Sequence, residues 1–559
     1  MADMEKHIVF HSDLTKADTL LLQSLADDLE ESAPRKNGPS SSGLGLDKQD
    51  LDAGAKLRGR GAGPDVNASR ERDEATLRQM EALNNPKDAR FEPTVVMSVD
   101  LDKIKLPYVL DKFLLRPYVR FARSMVRVET DVVMLTHLIL YFCTSIPSAI
   151  LLFRNFSWIH GVLHFVMQFY YMGTYTLMMH QHIHMRGILN KRLALFDHIF
   201  PYITDPLMGH TWNSYFYHHV KHHHVEGNGP DDLSSTIRYQ RDSVLHFLHY
   251  TGRFFFLIWA DLPLYFIRKG RAVLGLKALF WEMANYTMLY SFFRYNPRAT
   301  VFVLLIPFLL LRFGLMAGNW GQHALVDADE PDSDYRSSIT LIDVASNRHC
   351  FNDGYHTSHH LNPLRHWREH PVSFMKTKHV YASNHALVFH DIDYLMVTIR
   401  LLMKDYKRLA ECMVPIGDQV SMTMEERMEL LKRCTRPFSE EEIKKKFKSG
   451  MRLDFTALLA TLASTCVADH MEVYSKCSAT CCESRDGLMF TLGGGFYVNA
   501  TEGCRRNTMI PGMTELCTDW GYRRGHLRYE DQGKRCLQMR AYEKYECVTH
   551  AHCSGRSGV

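Results

Sequence analysis

The chain of 559 residues sets 66 Lys and Arg against 62 Asp and Glu, a formal net charge of +4, which is too small a basic excess to argue for a nucleic-acid partner. Its length has room for about three to four average domains, and its apolar residues gather in the middle between polar ends. Cysteine is divided too: Cys143, Cys350 and Cys412 are scattered over the first 430 residues and the other ten follow from Cys434, as though two redox compartments were represented.

Residues 1–93 are rich in Ser, Gly, Asp, Lys and Arg, as in APRKNGPSSSGLGLDKQDLDAGAKLRGRGAGP, and read as a disordered tail. The opening MADMEKHIVFHSDL lacks the basic and apolar regions of a secretory signal. Residues 132–153 and 157–179 contain no charge, and each run is long enough as a helix to cross a hydrocarbon core of about 30 Å. Arg116, Arg120, Arg123 and Arg127 precede the first run on one helical face, and Arg186, Lys191 and Arg192 follow the second. Basic flanks on both sides predict a hairpin with both ends in the cytoplasm.

Three further apolar segments follow, at 245–267, 278–293 and 299–316. The first holds Arg253 and Asp261 and ends in Arg268, Lys269 and Arg271, which suits a helix lying in the interface. The other two are predicted to cross, with a luminal turn at Asn296-Pro297-Arg298, giving four crossings. The fold expected is therefore all-α and integral to the membrane, with interfacial helices and a histidine-rich cap on the cytoplasmic face. Residues 391–450 read as a cytoplasmic helical extension, with a capping box at Ser439 and Glu442.

Of 31 histidines, 24 fall between His160 and His390. MMHQHIHMR places His180 and His184 at i, i+4; YFYHHVKHHHVEGNGPDD places His219, His222 and His223 at i, i+3, i+4; NDGYHTSHHLNP repeats that spacing with His356, His359 and His360. On an α-helix such positions share a face. Eight neutral imidazoles are too many for one four-coordinate ion, so two metals are the economical explanation. His323, in GNWGQHALVD, is a ninth candidate, and Asn319 one turn before it could hold a metal-bound water. His137, His160, His164, His246 and His249 read as packing or hydrogen-bonding residues. Asp231 and Asp232 suit either carboxylates behind the ligands or an exposed turn.

These residues resemble the three histidine boxes, H-x3/4-H, H-x2/3-HH and H/Q-x2/3-HH, of the membrane fatty-acid desaturase and hydroxylase superfamily, over roughly residues 110–390 of a membrane domain taken as 94–390. The resemblance assigns His180 and His184 to the first box, His219, His222 and His223 to the second, and His356, His359 and His360 to the third. Asn319 to His323 resembles the N-x-x-x-H element of acyl-CoA desaturases. The second box is over-full: His218, His222 and His223 also satisfy H-x3-HH, and His224 extends the run, so His218 stands as the alternative ligand to His219. The resemblance implies two Fe ions, O₂ as co-substrate, an acyl-chain substrate, and residence among membrane lipids, in the endoplasmic reticulum with the active site facing the cytoplasm. No HPGG haem motif is present, so the implied electron donor is external, such as cytochrome b5 and its reductase. Desaturation is favoured over the alternative, a fatty-acid or alkane hydroxylase of the same superfamily. A different reading, a His-rich zinc-binding membrane protein, predicts intramembrane carboxylates and histidines along a path, whereas these clusters lie beyond span ends.

The last stretch, 451–559, differs in kind. MRLDFTALLATLASTCVADH reads as a secretory signal ending near Ala468. Eight cysteines follow, Cys477, Cys481, Cys482, Cys504, Cys517, Cys536, Cys547 and Cys553, with a glycosylation sequon at Asn499-Ala500-Thr501. That is the pattern of a small disulfide-stapled secreted domain, at odds with a cytoplasmic catalytic region, and it predicts a separate protein joined by the gene model.

Overall fold

The computed structural model describes residues 8–11, 14–32, 64–342, 344 and 351–447, together with the backbone of five strands between 478 and 540. It divides into two units, Met1–Arg452 and Leu453–Val559.

The first unit is mostly helical. Val132–Arg154 and Pro297–His323 are long and apolar enough to cross a membrane. Between them in sequence run Trp158–Met185, Val244–Arg268 and Ala272–Tyr295, of 28, 25 and 24 residues. Capping chemistry fixes several starts: the Ser157 and Ser243 hydroxyls accept from the third residue beyond them, and Asn296 accepts from Ala299 N–H with Pro297 at the first helical position. Arg253 and Asp261, expected to keep their helix out of the membrane, pair with one another at 2.9 Å.

Two stretches differ from expectation. The 1–93 stretch contains helices Lys16–Ser32 and Pro64–Asn84, and Leu21, Leu22, Leu25 and Met80 are buried in a cluster with Tyr355, Phe374 and Val388. Periodic leucines outweigh the polar average there. Residues 33–63 lie outside the described residues. The extension after residue 391 is helical, and Ser439 and Glu442 form both capping-box bonds. Yet it is no appendage: Val397, Leu401, Leu409 and Leu431 join Trp320 in the largest buried cluster.

Helix Tyr394–Leu402 lies so close to helix Pro297–His323 that a Cβ on Gly321 would sit 2.1 Å from the Tyr394 carbonyl oxygen, so only glycine permits this approach. One short parallel pair, Ile339–Ile342 with Leu387–His390, runs beneath the third histidine cluster.

The second unit is a five-stranded antiparallel sheet in the order Phe496–Asn499, Gly487–Leu492, Ser478–Ser484, Lys534–Arg540, Arg528–Glu530. Its register places Cys482 opposite Cys536. The signal-like residues 451–477 lie outside the described residues, as do Ala500 and Thr501 of the sequon.

Candidate metal centre

The first histidine pair sits at the end of helix Trp158–Met185, and the chain beyond it is built to stop there. Arg186 adopts the left-handed conformation (φ 56°) and Gly187 follows at φ 119°, where a Cβ would meet a carboxylate oxygen of Asp197 at 2.1 Å. That carboxylate accepts from the backbone N–H groups of Ile188 and Leu189, and Arg127 approaches it at 3.7 Å. His180 and His184 are thereby held at a fixed height, with the Asp353 carboxylate 3.4 Å from His180 Nδ1.

The second cluster lies on a π-helix, Phe216–His223, running on into His224–Glu226. Its i→i+5 bonding widens the turn, so residues four and five apart share a face. His219, His223 and His224 therefore point one way. His223 Nδ1 donates to Asp232 at 2.8 Å, and the same carboxylate accepts from Asn228 N–H, Ser234 N–H and the Ser234 hydroxyl. Those bonds and the neighbouring histidines hold the carboxyl well below the usual range although burial opposes them. The loop is tied to the ninth histidine, since the Thr236 hydroxyl donates to the His323 carbonyl at 2.5 Å.

The third cluster occupies the single-turn helix His356–Leu361, with Ser358 bonded to Arg365 and His370 behind it. His323 ends its helix and donates from Nδ1 to the Ser337 carbonyl at 2.8 Å. His356 and His360 face it, while His359 turns toward the first cluster.

Nine imidazoles thus gather into two groups, His180, His184, His219, His224 and His359 in one, and His223, His323, His356 and His360 in the other, with ligand atoms within 4.8 Å of one another in each. In the first, four Nε2 atoms form a closed ring: His219 to His180 is 2.8 Å, His180 to His359 3.0 Å, His359 to His224 2.8 Å and His224 to His219 3.0 Å. The His184 ring lies 4.8–5.2 Å from each of those four rings, and among the described residues its buried Nε2 has no hydrogen-bond partner. In the second, His356 Nε2 is 3.0 Å from His323 Nε2 and 3.1 Å from His360 Nε2.

An imidazole nitrogen carries either one proton or one lone pair in the ring plane. Nitrogens converging on a common point cannot all satisfy one another by hydrogen bonding, and a shared cation can satisfy them all. Metal–imidazole bonds of about 2.1 Å, as zinc makes, set at right angles would separate neighbouring nitrogens by about 3.0 Å, close to the 2.8–3.0 Å around the ring of four. Burial, then the neighbouring histidines, holds His219, His224, His356, His359 and His360 well below the ordinary imidazole range, so these donors stay neutral, as metal ligands must. The donor set fits a pair of metal ions.

His222, expected as a ligand, lies in neither group; its Nε2 accepts from Leu233 N–H at 3.0 Å and its ring packs edge-on against Tyr265. His224, read only as extending the run, stands in its place. His218 is also outside, against His222 and Phe254, so of the two alternatives it is His219 that joins the group. The Asn319 amide donates to the Ser234 carbonyl at 2.9 Å and to the Tyr250 hydroxyl at 2.7 Å. Asp232 and Asp231 separate cleanly: the first is buried behind His223, the second pairs with Lys269 at 2.8 Å. His137 bonds Tyr141 and Met97 N–H, His160 and His164 share Ser148, and His246 accepts from Gln240 N–H, while His249 packs against Tyr239. Asp353 stands only three residues before His356, yet its partner is His180 of the first cluster, a pairing across 173 positions that no spacing signals.

No curated protein and no solved structure matches the chain. Residues 156–391 match the family model described as Fatty acid desaturase, a span that contains all nine grouped histidines. Over that segment the chain is similar to the fatty acid desaturase family, a likeness that supports a desaturase-like oxidoreductase of lipid metabolism.

Proposed function

We propose that this protein is a multi-pass membrane desaturase that holds two iron ions and introduces a double bond into an acyl chain, using O₂ and electrons from an external carrier such as cytochrome b5 and its reductase. The observation that carries the reading is the pair of buried histidine groups. A group of five donors with one ring equidistant from four others departs from the closed tetrahedron of structural zinc and favours iron with an open position.

When bound, the irons would supply the oxidising power, drawn from O₂, that removes hydrogen from an unactivated C–H bond. The chain's part is to hold and orient. His180, His184, His219, His224 and His359 would hold one ion, and His223, His323, His356 and His360 the other. Asp232 fixes His223 with its proton on Nδ1, and Asp353 lies beside the same atom of His180, so each leaves Nε2 free to ligate. Burial of the donors keeps bulk water away from the reacting chain.

Four crossings, with all three clusters on the cytoplasmic side of the endoplasmic reticulum membrane, complete the reading. Helix Trp158–Met185 would span about 42 Å at 1.5 Å per residue. Along it Ile159, Leu163, Val166 and Phe169 are each more than half exposed, an apolar stripe that lipid would cover. We further read 451–559 as a secreted-type protein joined by the gene model, in keeping with a unit boundary at Arg452. A single transcript and a full-length 64.8 kDa band from the native source would end that idea.

Gas chromatography of lipids from cells expressing the chain tests the reaction. A new double bond is expected; a hydroxy or epoxy product without one would make the protein a hydroxylase of the same superfamily. Zinc without iron in protein made in iron-replete cells would replace both readings with a zinc-binding membrane protein.

A further inference from the structure

A line of aromatic rings leaves the first histidine group and reaches the surface. Tyr215 packs against His219 with ring centroids 5.1 Å apart. His210 lies 5.4 Å from Tyr215, and Tyr175 5.5 Å from His210. Tyr141 follows at 5.4 Å, Tyr171 at 5.2 Å and Tyr170 at 6.1 Å. Tyr170 is 60% exposed, whereas Tyr175 and Tyr141 are wholly buried. Its hydroxyl donates to the Met97 thioether at 3.1 Å.

Packing alone explains stacked rings in a core, but not what their hydroxyls do. The Tyr175 hydroxyl donates to Asp205 Oδ1 at 2.7 Å. The Tyr141 hydroxyl is 3.2 Å from His137 Nδ1. Asp205 serves none of the nine histidines; it is buried in the first unit, and burial pushes its carboxyl up to about 7, near the point where it takes a proton readily. Phenol oxidation at moderate potential requires the proton to leave with the electron, and a base already hydrogen-bonded to the buried phenol provides for that.

Resting on the reading that the histidine groups hold redox-active metal, we propose that this line conducts oxidising equivalents out of the metal centre when O₂ has reacted and no acyl chain is bound. One electron passes from Tyr175 through His210 and Tyr215 to the oxidised centre, which is reduced by one electron. The Tyr175 phenolic proton moves to Asp205, leaving a neutral tyrosyl radical beside a protonated carboxyl. The radical is refilled by one electron relayed through Tyr141, Tyr171 and Tyr170 while Asp205 returns its proton, and Tyr170, exposed on the lipid-facing helix, takes that electron from a membrane-soluble reductant of the phenol or quinol class. The histidines that bind the metal are spared oxidation.

The test uses the full chain in detergent micelles, loaded with ferrous iron, its iron content measured, then mixed with O₂ without lipid and frozen. Electron paramagnetic resonance should show a radical whose hyperfine pattern collapses when the protein carries ring-deuterated tyrosine. Tyr175→Phe and Asp205→Asn should each lose that signal at unchanged iron content, and peptide mass spectrometry should find more oxidised histidine in both. Tyr202→Phe, whose ring packs on Trp281 away from the line, should keep it. Iron-loaded protein that consumes O₂ without a tyrosyl radical, or an undiminished signal in Tyr175→Phe, overturns this proposal alone. Failure of the wild-type chain to bind iron overturns the metal reading with it.

Discussion

Two adjacent-looking histidines in the second cluster should behave in opposite ways when truncated. His224→Ala removes one of the five donors of the first group, the one whose Nε2 lies 2.8 Å from His359 and 3.0 Å from His219. Loss of a residue merely supporting a ligand already costs about 10–100-fold in metal affinity; loss of the donor itself should exceed the upper value, about 2.8 kcal/mol at 1.4 kcal/mol per tenfold. His222→Ala removes no donor. It strips the acceptor from the Leu233 N–H, and a buried backbone donor left unpaired costs about 1–3 kcal/mol. The assay is metal stoichiometry by mass spectrometry on purified protein, alongside a thermal melt in the same detergent. Wild type and His222→Ala should carry two ions per chain, with His222→Ala melting lower, while His224→Ala falls to about one. Full occupancy in His224→Ala with loss in His222→Ala would refute the π-helical register.

Arg312 and Glu282 form a buried pair at 2.7 Å, with the Ser214 hydroxyl on the same carboxylate at 2.6 Å. Arg312→Met alone should cost about 3–5 kcal/mol by stranding a buried charge, and the double change Arg312→Met/Glu282→Leu should recover most of it; melts of the single and double variants decide. Removing metal with a chelator should lower the melting temperature, because converging lone pairs then face one another unscreened, and re-addition of ferrous iron should restore it. If 451–559 passes through an oxidising compartment, peptide mapping without reductant should join the segments holding Cys482 and Cys536, which face one another in register. Finding only reduced thiols in secreted material would count against the stapled-domain reading.

The first and third clusters were legible because their geometry is α-helical: i, i+4 for His180 and His184 on a long helix, and i, i+3, i+4 on a single turn for the third. Even there, sharing a face did not reveal that His359 would serve one group and His356 and His360 the other. That division depends on three other elements meeting the turn. The second cluster departs by one position from the α-helical spacing because the chain there is π-helical, and no residue in YFYHHVKHHH announces the wider turn. The helices at Lys16–Ser32 and Pro64–Asn84 were hidden by the polar, glycine-rich linker between them, which dominated the average. Arg312 and Glu282 escaped notice for the opposite reason: single charges inside apolar runs look like tolerated exceptions until two helices bring them within 2.7 Å.

The two carboxylates behind the ligands make the last prediction, and it follows from charge. Nine imidazoles bring no negative charge to balance two divalent ions. Among the described residues each histidine group has one carboxylate at a ligand's Nδ1: Asp353 at His180 of the first and Asp232 at His223 of the second. A carboxylate there both locks the tautomer and makes the ring a better donor. Because each serves a single ion, the effects should be separable. Asp353→Asn should weaken the first site and Asp232→Asn the second, each by about 10–100-fold in affinity, so that a titration with ferrous iron shows one tight and one weak step in either variant. Asp232→Asn should carry the larger penalty, since its carboxylate also organises Asn228 and Ser234 at 2.8–3.1 Å. If either single change loosened both ions equally, the two groups would be one coupled site, and the assignment of a carboxylate to each would fail.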